Sequence, residues 1–350
     1  MRHNALMKLL LLGGTRFLGR ATVDAALARG HEVTLFTRGK QPNHWGAAVT
    51  MVVGDRDPAV APGLAALDTG TWDAVIDTCG YVPRIVGAAA DKLRDRVGRY
   101  LFVSSISVYP EMSQPGIDEN APVGVLDDPA TEEIMAHYGP LKAACEDVVR
   151  KTYGVRALIV RPGLIVGPHD PTDRFGYWVA RFAHPRLLGD RGPDAVLPGP
   201  PAAWFQIIDV RDLGAWMVQL VEDGAEGTYN ACSPARQWTF GDLVDVAAKE
   251  GGAVAPRALW VDETVLLEHQ VEPWTGLPMW LPSTIPDSVG FSLVDTRRAI
   301  AAGLGTRPLA DTVAATAAWL ARRDNNDAWK VVLGAEAERA IVTAAAGNPT

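Results

Sequence analysis

The chain has 350 residues, 48% of them hydrophobic and 21% charged, which is the composition of an ordinary folded enzyme and not of a disordered or fibrous protein. That length exceeds one minimal core and predicts a larger domain joined to a smaller lobe. With 41 acidic against 33 basic residues the formal charge is −8, so no long-range attraction draws the chain to nucleic acid or to an anionic membrane.

The start pairs Arg2 with the apolar run Leu9-Leu10-Leu11-Leu12, but the run is too short for a signal sequence and meets Gly13-Gly14 directly. Residues 8–12 read as a strand, 17–29 as a helix, 32–36 as a strand, and 50–53 and 74–76 as further strands. A helix over 85–96, a strand over 100–103, a helix over 138–152 and a strand over 157–160 continue the alternation. Short continuous apolar runs between helical stretches are the pattern of parallel strands buried on both faces. The expected fold class is therefore α/β, a Rossmann doubly wound parallel sheet with a smaller C-terminal substrate-binding lobe.

After Arg161-Pro162-Gly163 the alternation loosens into a proline-rich stretch that includes Pro168, Pro171, Pro185, Pro193, Pro198, Pro200 and Pro201, read as loops and short helices of the lobe. Residues 207–210, a helix to Val221 and residues 228–230 look strand-like again and suggest a return to the sheet. The expected division is 1–168 for the nucleotide-binding domain with 203–232 returning to it, 169–202 and 233–323 for the lobe, and 324–350 for a C-terminal helix and tail. No later stretch nears the roughly 18 apolar residues of a membrane span. Cys79, Cys145 and Cys232 show no C-x-x-C spacing, which suits a reducing cytoplasm, and the seven histidines show no metal-ligand spacing, so no metal is expected.

Chemistry enters first at Gly13-Gly14-Thr15-Arg16-Phe17-Leu18-Gly19, between a strand and a helix. There, backbone N–H groups at a helix N-terminus can meet a pyrophosphate, with Gly13 allowing the tight turn and Gly19 allowing close packing. The second strand ends not on the carboxylate that holds a ribose 2′-hydroxyl but on Thr37-Arg38-Gly39. Arg38, helped by Arg16, could pair with a 2′-phosphate, so NADP is the expected cofactor with NAD possible. A solvated loop arginine is the plainer reading of Arg38. Gly80, after the fourth strand, would let backbone approach the adenosine.

The second signal is Tyr138-Gly139-Pro140-Leu141-Lys142. Positions i and i+4 share a helix face, and an ammonium beside a phenol of pKa about 10 favours the phenolate. Pro140 requires the helix to begin close to Tyr138.

Upstream, Leu101-Phe102-Val103-Ser104-Ser105-Ile106-Ser107-Val108-Tyr109 precedes this pair, and Arg161-Pro162-Gly163-Leu164-Ile165-Val166-Gly167-Pro168 follows it. With the glycine pattern over Gly13, Arg16 and Gly19, these segments resemble the extended and atypical short-chain dehydrogenase/reductases of the epimerase/dehydratase type. Arg16 replaces the middle glycine of that pattern. The resemblance implies a catalytic hydroxyl on Ser105, with Ser104 or Ser107 as neighbours that would take the role in another register. It further implies a Lys142 that also contacts the nicotinamide ribose, adenine contact at Asp55, and ring-orienting backbone at Pro162. For Asp55, a turn-forming role is as ordinary a reading. Relatives often dimerise, so a homodimer is possible.

The acidic pair that sugar dehydratases carry after the catalytic hydroxyl is replaced here by Ile106-Ser107, and Phe205 stands where many nucleotide-sugar epimerases place an arginine. Trp178, Trp204, Trp274 and Trp280 suit either the wall of a ring-bearing substrate site or the lobe's core. Asp209 is expected to cap a helix, and His169 to lie in a turn. The leading expectation is an NAD(P)-dependent reductase or dehydrogenase using Ser105, Tyr138 and Lys142 on a small-molecule carbonyl or alcohol. The alternatives are an epimerase working through a transient keto intermediate and a degenerate relative that senses NAD(P) or binds RNA.

Overall fold

The computed structural model of the chain describes residues 6–286, 288–324 and 327–347. Arg2, at the start of the leader-like stretch, and residues 348–350 of the expected tail lie outside them. The first half alternates strands and helices: β1 Lys8–Leu12, α1 Phe17–Ala28, β2 Glu32–Thr37, β3 Val49–Val53, β4 Trp72–Asp77, α2 Pro83–Leu93, β5 Val97–Val103, α3 Ile134–Tyr153 and β6 Ala157–Pro162. The second half holds β7 Leu164–Val166, α4 Arg174–Ala183, β8 Asp194–Pro198, β9 Trp204–Phe205, β10 Ile207–Asp209, α5 Val210–Glu222, β11 Gly227–Ala231, β12 Trp238–Thr239, α6 Phe240–Gly251, β13 Arg257–Val261, α7 Glu263–Glu268, α8 Ser288–Phe291, α9 Arg297–Ala301, α10 Leu309–Leu320 and α11 Ala335–Gly347.

Seven strands form one parallel sheet in the order β11-β6-β5-β4-β1-β2-β3. The chain winds outward from β1 in both directions, the doubly wound arrangement expected, and ligands of such sheets bind beyond the strand C-termini where the order reverses. Strand side chains alternate between two layers. Leu9, Leu11, Ile76, Val103 and Val160 pack with α1 and α5, and Leu10, Leu12, Val75, Tyr100 and Phe102 pack with α2 and α3. Each face is covered, so the strands read as continuous apolar runs.

A third apolar cluster gathers Phe175, Trp178 and Phe182 of α4, Leu243 of α6, Val313 and Leu320 of α10, and Ile341 of α11. The proline-rich stretch within it is more ordered than loops and short helices: β8 and β13 pair in parallel, β7 pairs with β10, and β9 with β12. Pro193 and Pro198 bound β8 so closely that its three buried apolar residues, Ala195 to Leu197, are a weak strand signal. Helix α11 is docked by Glu338, fully buried between Arg181 and Arg191 and accepting the N–H of Val196.

Candidate active site

The loop between β1 and α1 is built on backbone conformations and contacts that leave no room for side chains. Gly13 and Gly14 have φ of +98° and +96°, and a Cβ on Gly19 would lie 2.4 Å from the Gly14 Cα. Helix α1 therefore starts directly against the loop, with no side chain capping its N-terminal amides and no acidic residue in its first turn. Uncapped amides at the positive end of a helix, behind a glycine turn, form a cradle for a pyrophosphate. Thr15, Arg16, Phe17 and Leu18 complete that turn, Arg16 with its side chain exposed.

Arg38 is also exposed beyond β2, where Thr37 accepts the Gly39 N–H at 3.2 Å and closes a tight turn. Asp55, half-buried after β3, accepts the N–H of Asp57 through Oδ1 at 3.0 Å. The end of β2 thus carries an exposed arginine and no carboxylate.

Beneath this cradle lies a buried ionic network that the sequence reading did not single out. Arg56 Nη1 and Nη2 donate to the two oxygens of Asp77, each at 2.7 Å, and Tyr100 donates to Oδ2 at 2.8 Å. Asp77 also accepts the Cys79 N–H, and Arg56 Nη1 reaches Cys79 Sγ at 3.2 Å. Burial alone would raise the Asp77 pKa, but Arg56 and the hydrogen bonds outweigh it and hold the carboxyl below its ordinary value. Next along the chain, the Gly80 carbonyl and the Val103 carbonyl accept from Lys142 Nζ at 2.7 and 2.5 Å. The ammonium lies over the Phe102 ring, 4.4 Å from its centroid, and near Tyr81. Burial brings the Lys142 pKa down to about 8.

Tyr138, four residues before Lys142, is partly exposed and forms the outer end of the site, its mouth, as Lys142 and Asp77 form its buried floor. Helix α3 is broken at His137, whose φ of −127° and ψ of 30° are not helical, so a second helical segment begins at Tyr138 and Pro140 falls in its first turn. The segment packs so tightly that a Cβ on Gly139 would lie 2.0 Å from the Ser107 carbonyl oxygen. This approach sets Tyr138 beside Ser105. Burial raises the phenol's pKa, while the Ser105 hydroxyl and the Arg174 guanidinium act in the opposite direction.

Of the three serines, Ser105 is the one whose hydroxyl lowers the phenol's pKa. Its Oγ also accepts the Ser107 N–H at 3.1 Å, while Ser104 is buried and Ser107 exposed. Tyr81 lies 6.4 Å from Tyr138 between ring centroids. Tyr109 turns away to Arg161 and Asn230, and Arg161 is bound to Glu146 of α3, so those residues clamp α3 to β6 and β11. Pro162 ends β6 and pairs with Ala231.

The lobe contributes Arg174, at the first position of α4, stacked 5.1 Å from the centroid of the Trp274 ring. Trp178 and Trp280 are core residues, Trp178 donating to the Pro278 carbonyl, and Trp204 is partly exposed on β9. Asp209 caps α5 through the Arg211 N–H, and His169 lies in a turn against Trp319. A signal for Asp77 was present in the sequence: a lone carboxylate directly after Ala74-Val75-Ile76 sits where a buried strand ends and needs a cation. Arg174 carried no comparable signal, because Trp274, the ring it stacks on, lies 100 residues further along the chain.

The sequence profile of the NAD dependent epimerase/dehydratase family matches residues 9–232, which run from β1 to the end of the seven-strand sheet. The chain belongs to that family. The NAD dependent epimerase/dehydratase profile therefore covers the glycine loop, Ser105, Tyr138 and Lys142. Similar proteins include the chloroplast stem-loop binding protein of 41 kDa b of Arabidopsis thaliana, 26% identical over 71% of this chain and 64% of its own length. A 2-alkyl-3-oxoalkanoate reductase of Stenotrophomonas maltophilia is 30% identical over 47% of this chain and 52% of its length. The matched region thus spans between about half and two-thirds of the length of these two relatives. Among solved structures, the Bordetella bronchiseptica enzyme WbmH in complex with NAD+ shares the fold with a TM-score of 0.63 at 18% identity, over 91% of this chain and 99% of that one. Among the described residues no helix is long and apolar enough to cross a membrane, and no group of three or more His, Cys, Asp or Glu is placed to hold a metal ion.

Proposed function

We propose that this member of the NAD dependent epimerase/dehydratase family is an NADP-preferring reductase that interconverts a carbonyl and an alcohol on a small molecule in the cytoplasm. The observation that carries the reading is the close approach of Gly139 to the Ser107 carbonyl, which brings the Tyr138 phenol to the segment bearing Ser105, on a helix whose Lys142 is anchored to the Gly80 carbonyl. Gly13 to Gly19 would hold the pyrophosphate, Arg16 and Arg38 the 2′-phosphate, and Gly80 and Pro162 would give backbone surface to the adenosine and nicotinamide ends. Bound NADP(H) supplies or accepts the hydride.

The remaining steps belong to the chain. Ser105 orients the substrate oxygen, and Tyr138, whose raised pKa keeps its proton on at neutral pH, gives that proton to the oxygen as negative charge develops there. Lys142 positions the floor: its bonds to the Gly80 and Val103 carbonyls tie β4 and β5 to α3. The cation that acts on the phenol in this arrangement is Arg174.

The family name keeps a second reading in view, epimerisation through a transient keto intermediate with the same Ser105 and Tyr138. The relative that binds a chloroplast stem-loop supports the RNA reading only by likeness, and net charge argues against it. Titration with NADPH and NADH, followed by a panel of carbonyl compounds, separates these possibilities. Tighter NADPH binding and net NADPH consumption in proportion to alcohol formed support the reductase. Turnover of a sugar without net consumption supports the epimerase, and binding of neither nucleotide overturns both. Size-exclusion chromatography with light scattering reports whether the chain forms the homodimer common among its relatives; a monomer at all concentrations removes that expectation.

A further inference from the structure

The mouth of the site contains an arginine that forms no ion pair with any described residue. Arg174 is half-buried, yet no described residue accepts a hydrogen bond from its guanidinium; its one close partner is the face of Trp274. It stands at the first position of α4, where the helix dipole disfavours a cation and where no acidic residue in the first turn compensates it. Beside it, Asp170 is 2% exposed and its Oδ2 has no partner, while the two residues form no ion pair. Asp170 thus does not occupy the guanidinium, whose donors stay open to a ligand at the edge of the solvent.

The stacking partner is itself held under strain. Trp274 has a φ of +66°, its N–H is bound to the Trp280 carbonyl at 3.1 Å, and its ring meets Phe291 edge-on at 5.2 Å. Strained backbone that its surroundings enforce is concentrated at ligand clamps. Trp274 fixes the plane of the guanidinium, and a planar fork of donors matches a carboxylate in bidentate fashion. Phe291, on which the Trp274 ring rests, packs against Ile106, Val108 and Tyr109, the segment that directly follows Ser105, so the fork is held on the side of the site that bears the serine.

We infer that Arg174, held flat on Trp274, binds the carboxylate of an oxo acid or hydroxy acid whose reacting carbon is presented to Tyr138 and Ser105. The inference rests on the reductase reading and narrows its substrate class to molecules with an acid group near the carbonyl.

The test is calorimetric binding to NADP-loaded protein, using acetoacetate and benzoylacetate, each paired with its methyl ester. The wild type is expected to bind one free acid about tenfold or more tighter than its ester, the gain of a charge-assisted hydrogen-bonded pair. Arg174→Met removes the difference and Arg174→Lys keeps part of it, with NADPH affinity and thermal midpoint unchanged in both. Equal binding of acid and ester by the wild type, no binding of either, or an acid preference that survives in Arg174→Met overturns the inference. The wild-type comparison stands even where a variant fails to fold. Failure of the reductase reading is separate: the acid preference would persist while no carbonyl compound consumed NADPH.

Discussion

The floor and the mouth of the cleft each contain a buried aspartate near an arginine, and the two are opposites. On the floor, Asp77 accepts from Arg56 twice, from Tyr100 and from a backbone N–H, and only Nε of Arg56 is left without a partner. At the mouth, Asp170 accepts the Thr172 N–H through Oδ1 but leaves Oδ2 bare, and Arg174 stacks without bonding. The outcome is written in the pKa values: Asp77 is held down despite burial, whereas burial pushes Asp170 up to about 6. A satisfied buried pair is part of the fold, and an unsatisfied one is a place kept for something else.

The same chemical change at the two positions should therefore act in opposite directions. Asp77→Asn leaves the Arg56 charge buried and uncompensated, which is expected to cost about 3–5 kcal/mol of stability by denaturant unfolding. A neutral result would show that the network is not saturated as described. The pH dependence should also oppose. The Asp77 pKa is depressed, so its contribution is present above the ordinary value of 3.8 and is lost as pH falls through the lower folded value.

Asp170 runs the other way. Its folded pKa of about 6 exceeds the ordinary 3.8, so the folded state holds more protons between these values, and stability declines as pH rises through that window. Asp170→Asn removes the decline and should gain about 2–3 kcal/mol at neutral pH, an upper figure because Arg174 loses a favourable charge. Unfolding curves at pH 4 and pH 7 that differ equally in wild type and variant would contradict this.

A smaller effect separates geometry from charge. Gly139→Ala places a methyl group 2.0 Å from the Ser107 carbonyl oxygen, so α3 must retreat from the segment bearing Ser105. The expected loss is about 1–3 kcal/mol of stability together with a fall in turnover larger than any change in NADPH affinity. Unchanged turnover would mean that the contact between Tyr138 and Ser105 does not depend on this approach.

Much of the sheet was legible because its strands are buried on both faces: Leu9 to Leu12 and Ala157 to Val160 announce themselves as unbroken apolar runs. Strand β5 extends back to Val97, three residues beyond its apolar run, because Gly98 and Arg99 interrupt the run while the backbone pairing with β4 continues. The start of the helical segment bearing Tyr138 and Lys142 was legible from Pro140, whereas the preceding turn from Ile134 was not, since the break at His137 lies in backbone angles. In the site, glycine and Tyr-x-x-x-Lys spacing placed the cradle and the helix face. They did not show that Lys142 points to the floor carbonyls or that Arg174 stacks on Trp274, because both facts depend on contacts between segments far apart in the chain. Trp178 and Trp280 illustrate the limit of composition: the same residue type that stacks on Arg174 at position 274 fills the lobe's core at these two.

The most direct measurement is single-turnover loss of NADPH absorbance on mixing with a carbonyl substrate found in the panel, in the wild type and in Tyr138→Phe. Loss of proton donation should slow the step by about 10²- to 10⁴-fold with NADPH affinity unchanged. A Tyr138→Phe enzyme that transfers hydride at the wild-type rate would remove the phenol from the reaction.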